Sequence, residues 1–162
     1  MDAGLNKKEI ESRSPEETER IAAGWLADIA RAHADRDEAL VVGLSGHLGA
    51  GKTAFVKAVA KALGVSEDVT SPTFVLMKLY DIAPTGALED FPWKRLVHID
   101  AYRLERREEL DALEWEKLVA DRNGLIMIEW PENVGDPLKE IEGSLRISFE
   151  AVDEKTRRIV FR

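Results

Sequence analysis

The chain has 162 residues, 44% hydrophobic and 33% charged, a composition that fits one globular domain able to bury a core without covalent staples. It contains no cysteine, which excludes disulfides and thiolate metal sites, and no apolar run reaches membrane-spanning length. A net charge of −8 argues against broad, sequence-independent binding of nucleic acid, because the phosphate backbone would be repelled.

In chain order, residues 1–13 read as a disordered N-terminal segment, and residues 14–162 as a single domain. The start, Met1 to Lys8, is too polar for a signal peptide, so the expected location is cytoplasmic. Ser14-Pro15-Glu16-Glu17 is a helix start: a serine cap, proline in the first turn and a glutamate three after the cap. The helix that follows carries Ile21, Trp25, Leu26, Ile29 and Ala30 on one face and ends near the polar run from Ala34 to Glu38. Ala39 to Leu44 is short, apolar and β-leaning, and Ala54 to Leu63 has apolar residues at 55, 56, 59, 60 and 63, the spacing of a helical face.

Between that strand and that helix lies Gly46-His47-Leu48-Gly49-Ala50-Gly51-Lys52-Thr53, which matches G-x-x-x-x-G-K-[ST]. Strand, glycine loop and helix together form the setting of a phosphate cradle. Backbone N–H groups from Leu48 through Gly49, Ala50 and Gly51 to Thr53 supply donors at a range that bulky side chains would block. Gly46, Gly49 and Gly51 can take backbone angles closed to other residues, and the helix presents its positive end. Lys52 is suited to bridging the β- and γ-phosphates, and the Thr53 hydroxyl to binding Mg²⁺.

Gly64 is placed to end the helix. In Asp68 to Phe74, the hydroxyl residues Thr70, Ser71 and Thr73 surround Pro72 and read equally well as a plain turn or as a switch-like segment that reaches phosphate or Mg²⁺. Val75 to Tyr80 is a strand, followed by a surface loop marked by Ala83-Pro84-Thr85-Gly86 and Phe91-Pro92. Arg95 to Asp100 is a strand ending in a carboxylate, and Glu129 sits the same way after Leu125 to Ile128. A P-loop protein needs an acid after an apolar strand, to hold Mg²⁺ or orient the attacking water; spacing alone leaves the roles of Asp100 and Glu129 open.

Glu105 to Ala120 reads as one charged amphipathic helix burying Leu110, Leu113, Leu118 and Val119. Glu132 to Gly143 is loop-like, and Leu145–Phe149 with Arg158–Phe161 reads as a closing antiparallel hairpin around Val152 to Lys155. His98, inside a strand, reads as a packed histidine, and no His/Asp/Glu spacing suggests a structural metal site. The four tryptophans are not spaced as a nucleic-acid stacking platform; Trp130, next to Glu129, reads either as a neighbour of bound nucleotide or as ordinary packing. The fold class is α/β: a P-loop NTPase-like three-layer sandwich whose mostly parallel central sheet is extended by antiparallel strands and the C-terminal hairpin. No N-K-x-D guanine reader occurs, and Asp121-Arg122-Asn123-Gly124 precedes a strand and reads as a turn, so ATP is the better ligand.

Four segments, Leu44 to Thr53, Thr70-Ser71-Pro72-Thr73-Phe74, His98-Ile99-Asp100-Ala101-Tyr102-Arg103-Leu104 and Ile128-Glu129-Trp130-Pro131-Glu132, together resemble the bacterial TsaE (YjeE) ATPase family, in that family's order. The resemblance runs from Ser14 onward. It implies a small P-loop ATPase that serves threonylcarbamoyladenosine formation at position 37 of tRNA by associating with a TsaD–TsaB pair, with tRNA met only through that complex and with no membrane. It further implies that Lys52 contacts phosphate, that Thr53 and Glu129 hold Mg²⁺, and that Asp100 serves hydrolysis. Thr73 would belong to a switch, Trp130 would lie by the nucleotide, and Thr18 near the adenine. His47 departs from the family's common acidic residue before Leu-Gly-Ala-Gly-Lys-Thr, which bears on rate or affinity.

Two other readings use the same loop. A small-molecule kinase would use Arg103, Arg106 and Arg107 as a phosphate-gripping lid, and a non-catalytic interaction module would carry a relict P-loop.

Overall fold

The computed structural model describes residues 7–72, 75–82 and 91–162. Thr73, Phe74 and the loop from Ala83 to Asp90 lie outside the described residues, as does the segment before Lys7.

Seven strands form one sheet: β1 (Lys8–Ser12), β2 (Leu40–Ser45), β3 (Met77–Asp81), β4 (Arg95–Asp100), β5 (Gly124–Glu129), β6 (Leu145–Ala151) and β7 (Arg157–Phe161). Their spatial order is β1-β7-β6-β2-β5-β4-β3. The four central strands β6, β2, β5 and β4 run parallel, while β3 adds antiparallel at one edge and β7 and β1 at the other. The expected parallel core with antiparallel extensions and a terminal hairpin is present. Strands β2 and β5 are apolar along almost their whole length because the sheet is covered on both faces.

Helices α1 (Pro15–Ala32) and α2 (Lys52–Ala62) cover one face, and the short helices α3 (Arg107–Asp111) and α4 (Trp115–Ala120), with 3₁₀ turns at Pro131–Val134 and Pro137–Glu140, cover the other. Under α2, the ring of Phe55 lies 5.5 Å from Trp25, 5.4 Å from Phe149 and 6.1 Å from Phe161. Each such pair adds about 0.5–1.5 kcal/mol beyond burial, so this cluster fixes the helix behind the glycine loop against the C-terminal hairpin.

Two expectations are corrected. Lys8–Ser12, read as disordered, is a strand paired with β7 from Lys8↔Phe161 to Ser12↔Arg157. Its single apolar residue, Ile10, gives too little alternation to announce it, and long-range backbone pairing forms it instead. The helix expected over 105–120 is two helices, interrupted at Glu114, which takes a left-handed φ of 60°. In one continuous helix Leu110 and Trp115 would point about 140° apart at about 100° per residue. The break resets the phase, so that both are buried. The expected helix start is present: Ser14 Oγ accepts from Glu17 N–H at 3.1 Å, and Glu17 Oε2 reaches back to accept from Arg13 N–H at 2.6 Å.

Candidate functional site

The glycine loop joins β2 to α2 and needs its glycines for different reasons. Gly46 has φ +150°, and a Cβ there would stand 2.4 Å from the Phe149 carbonyl oxygen, so the loop passes flush against β6. Gly51, at φ +109°, is the left-handed cap residue from which α2 starts. The loop faces the carboxyl ends of β4 and β5, where ligands of open α/β sheets collect.

Register brings the two acids together. Asp100 and Glu129 are opposite one another on β4 and β5, and Glu129 is also opposite Leu44 on β2, the strand that feeds the loop. Thr53 Oγ1 donates to Glu129 Oε1 at 2.8 Å, and His98 Nε2 lies 2.8 Å from the same oxygen. Asp100 Oδ1 accepts from Tyr102 N–H at 3.0 Å and its Oδ2 from Ser71 Oγ at 3.4 Å. Ser71 thus reaches the acid pair, while its neighbour Thr70 takes a bond from Lys78 Nζ at 2.7 Å.

Lys52 is the cation of this constellation. It is 5% exposed, its ammonium donates to the carbonyls of Gly46 and His47 at 2.5 and 2.9 Å, and it lies 4.4 Å from the centre of the Trp130 ring. Burial holds its pKa below the ordinary lysine value, against the opposing pull of Glu129, Asp100 and Glu132. Trp130 is held by the left-handed conformation of its own backbone (φ 58°), by its N–H donating to Leu44 O at 3.1 Å, and by the Tyr102 ring 5.3 Å away. A non-glycine residue at such an angle persists only where its surroundings over-determine it.

These groups line one cleft of about 780 Å³, large enough for a nucleotide. It is lined by Lys52, Thr53, Asp100, Glu129 and Trp130 from the start of α2 and the ends of β4 and β5, and by Ser12, Thr18, Phe149, Arg157 and Ile159 from β1, α1, β6 and β7. Of the residues singled out in the sequence, Leu48, Gly49, Gly51 and Thr18 also line it, whereas Gly46 and Ala50 shape the loop from behind and Thr73 lies outside the described residues. Thr18 Oγ1 lies 2.7 Å from Ser12 Oγ, and Ser12 Oγ donates to Ser14 O at 3.0 Å.

Sequence reasoning missed Ser12, Arg157 and the contact of His98 with Glu129. Ser12 and Arg157 are register partners on β1 and β7, and nothing short of the sheet pairing brings either to the cleft. The only available signal for His98 was its i, i+2 spacing from Asp100, which puts both on one face of β4.

Among the described residues no group of three or more His, Asp or Glu could enclose a metal ion. A hydroxyl and one or two carboxylates do, however, suit Mg²⁺, which keeps waters and takes its remaining ligands from phosphates. Since Thr53 gives its proton to Glu129, its lone pairs are left for such an ion, so the residues fit a cation that arrives with a polyphosphate.

Arg103, Arg106 and Arg107 do not line the cleft. Arg107 is paired with Asp111 at 3.3 Å and Glu140 at 3.2 Å. Among the described residues no helix is long and apolar enough to cross a membrane.

A family model described as threonylcarbamoyl adenosine biosynthesis protein TsaE matches residues 12–159. The chain is 36% identical over 148 residues to the tRNA threonylcarbamoyladenosine biosynthesis protein TsaE of Treponema pallidum, covering 91% of this chain and 95% of that protein. With the protein of the same name from Bacillus subtilis it shares 33% identity over 149 residues, 91% of this chain and 80% of the relative. The crystal structure of Bacillus subtilis YdiB matches with a TM-score of 0.65 at 25% identity, over 99% of this chain and 87% of that one. A family match that begins at β1 and runs into β7 takes in both walls of the cleft as well as the glycine loop, and the chain belongs to the TsaE family.

Proposed function

We propose that this chain binds Mg·ATP in the cleft and hydrolyses it in support of tRNA threonylcarbamoyladenosine biosynthesis, acting on a TsaD–TsaB-type complex and meeting tRNA through that complex. The observation that carries the reading is the convergence of Lys52, Thr53, Glu129 and Asp100, from two separate strand ends and a helix start, on one face of one glycine loop. The pathway assignment is supported by the names of the relatives.

The loop amides and the Lys52 ammonium receive the phosphates, and the Lys52 charge balances the negative charge that builds as the terminal phosphoryl group leaves. Mg²⁺, when bound, neutralises phosphate charge; Thr53 and Glu129 are the residues that would hold it. Asp100, fixed by Tyr102 N–H and Ser71, accepts a hydrogen bond from the attacking water and aims its oxygen at phosphorus. The new P–O bond forms to water as the bond to the ADP oxygen breaks, giving ADP and inorganic phosphate. Trp130 covers Lys52 and keeps bulk water from it.

The test is ATP turnover by the purified chain alone and with a TsaD–TsaB pair, together with the modified-nucleoside content of tRNA from cells carrying Lys52→Ala. Slow turnover alone, acceleration by the pair and loss of the modification in the variant are expected. Unchanged modification with Lys52→Ala would overturn the reading in favour of a relict loop, and turnover that depends on a small-molecule acceptor would favour a kinase.

A further inference from the structure

We infer that His98 is a positioning residue for the cation: through its Nε2–H it fixes the carboxylate of Glu129, so that Thr53 and Glu129 present a preset pair of oxygens. The inference rests on the Mg·ATP reading above.

His98 is fully buried in the middle of β4, between its register partners Lys78 on β3 and Met127 on β5. Its Nε2 is 2.8 Å from Glu129 Oε1, and its Nδ1 is buried with no hydrogen-bond partner among the described residues. These two facts select one tautomer. A proton on Nε2 is donated to the carboxylate, and Nδ1 keeps a lone pair; the opposite tautomer would set a lone pair against an anionic oxygen and bury an unmatched N–H.

Glu129 Oε1 therefore takes two donors, one from His98 inside the sheet and one from Thr53 at the start of α2. With Oε1 held from both sides, the carboxyl plane is fixed and Oε2 is left for a ligand. A flexible glutamate would have to lose its rotamer freedom on binding; here the histidine removes that freedom beforehand. Histidines and carboxylates that orient a metal's own ligands have this effect elsewhere, and their loss costs about 10–100-fold in metal affinity.

Two substitutions of like polarity separate the bond from mere packing. His98→Gln can place an N–H where Nε2 stands, while the shorter His98→Asn reaches only the level of Nδ1. Mn²⁺ binding to the chain with a non-hydrolysable ATP analogue is read by electron paramagnetic resonance, and metal-free nucleotide binding by calorimetry in EDTA. His98→Gln is expected to stay within about threefold of the unsubstituted chain in Mn²⁺ affinity, and His98→Asn to fall by about tenfold or more, with EDTA affinity equal in all three. Unchanged Mn²⁺ affinity in His98→Asn, or equal losses in both variants, would overturn the inference. A long-range ¹H–¹⁵N spectrum of the unsubstituted chain gives a readout that needs no variant: it should show the His98 ring protonated on Nε2, and a proton on Nδ1 instead would refute the arrangement. Failure of the unsubstituted chain to bind nucleotide in either medium would instead bring down the Mg·ATP reading, and this inference with it.

Discussion

Thr53 and Glu129 stand 76 positions apart in the chain and share a hydrogen bond of 2.8 Å. That bond ties the first turn of α2 to the end of β5, the joint across which phosphate donors and carboxylates face each other. Thr53→Ala removes the donor from a buried carboxylate and a ligand from the cation. Mn²⁺ affinity of the nucleotide complex should fall by about 1.5–3 kcal/mol, the scale of a hydrogen bond to a charged group. Electron paramagnetic resonance titration checks this. The same titration without nucleotide should show no tight site, because the protein alone supplies too few ligands.

Lys52 gives a pH dependence whose sign follows from its surroundings. Burial lowers its pKa in the free chain, and bound phosphate, by adding negative charge beside the ammonium, restores the charged form. Nucleotide affinity should therefore fall as pH rises through the lowered value, before the ordinary lysine range near 10.5 is reached. Binding in that alkaline window should take up protons. Calorimetry in buffers of different ionisation enthalpy measures the uptake, and Lys52→Met should abolish it. For folding, the unfolded chain keeps its Lys52 proton up to the ordinary value while the folded chain loses it earlier. The penalty for burying the charge is thus full below the lowered pKa and is relieved as pH rises beyond it.

Trp130 is the optical reporter of the site. Its ring is next to Lys52 and lines the cleft, whereas Trp25 packs with Phe55 and Phe161, Trp93 stacks on Phe91, and Trp115 is buried in the core beneath α3 and α4. Adding nucleotide should change tryptophan emission, and Trp130→Phe should remove most of that change while the protein still unfolds cooperatively.

Gly46→Ala tests the close approach of the loop to β6. A methyl group 2.4 Å from the Phe149 carbonyl oxygen forces the strand or the loop to move, at a cost of about 2 kcal/mol or more. Urea unfolding should show the loss. Gly49→Ala, where an added Cβ meets nothing within 4 Å, is strained only by its φ of +77° and should cost less, about 1–2 kcal/mol.

What the sequence made legible is what local pattern encodes. The apolar runs of β2, β4 and β5, the glycine loop between strand and helix, and the acids at two strand ends all carry their meaning within a few residues. The break at Glu114 was hidden because Leu110 and Trp115 are both core residues but five positions apart, a conflict that only the surface they pack on resolves. Strand β1 was hidden because four of its five residues are polar, and its partner lies at the other end of the chain. The contact of His98 with Glu129 depends on two strands being neighbours, and no spacing within either strand reports that.

The pairing of β1 with β7 has a consequence for how the protein is made. The glycine loop is complete at Thr53, yet Ser12 meets its register partner Arg157 only after β7 has been made, at the far end of the domain. A growing chain therefore has its glycine loop long before it has the side of the cleft that β1 and β7 supply.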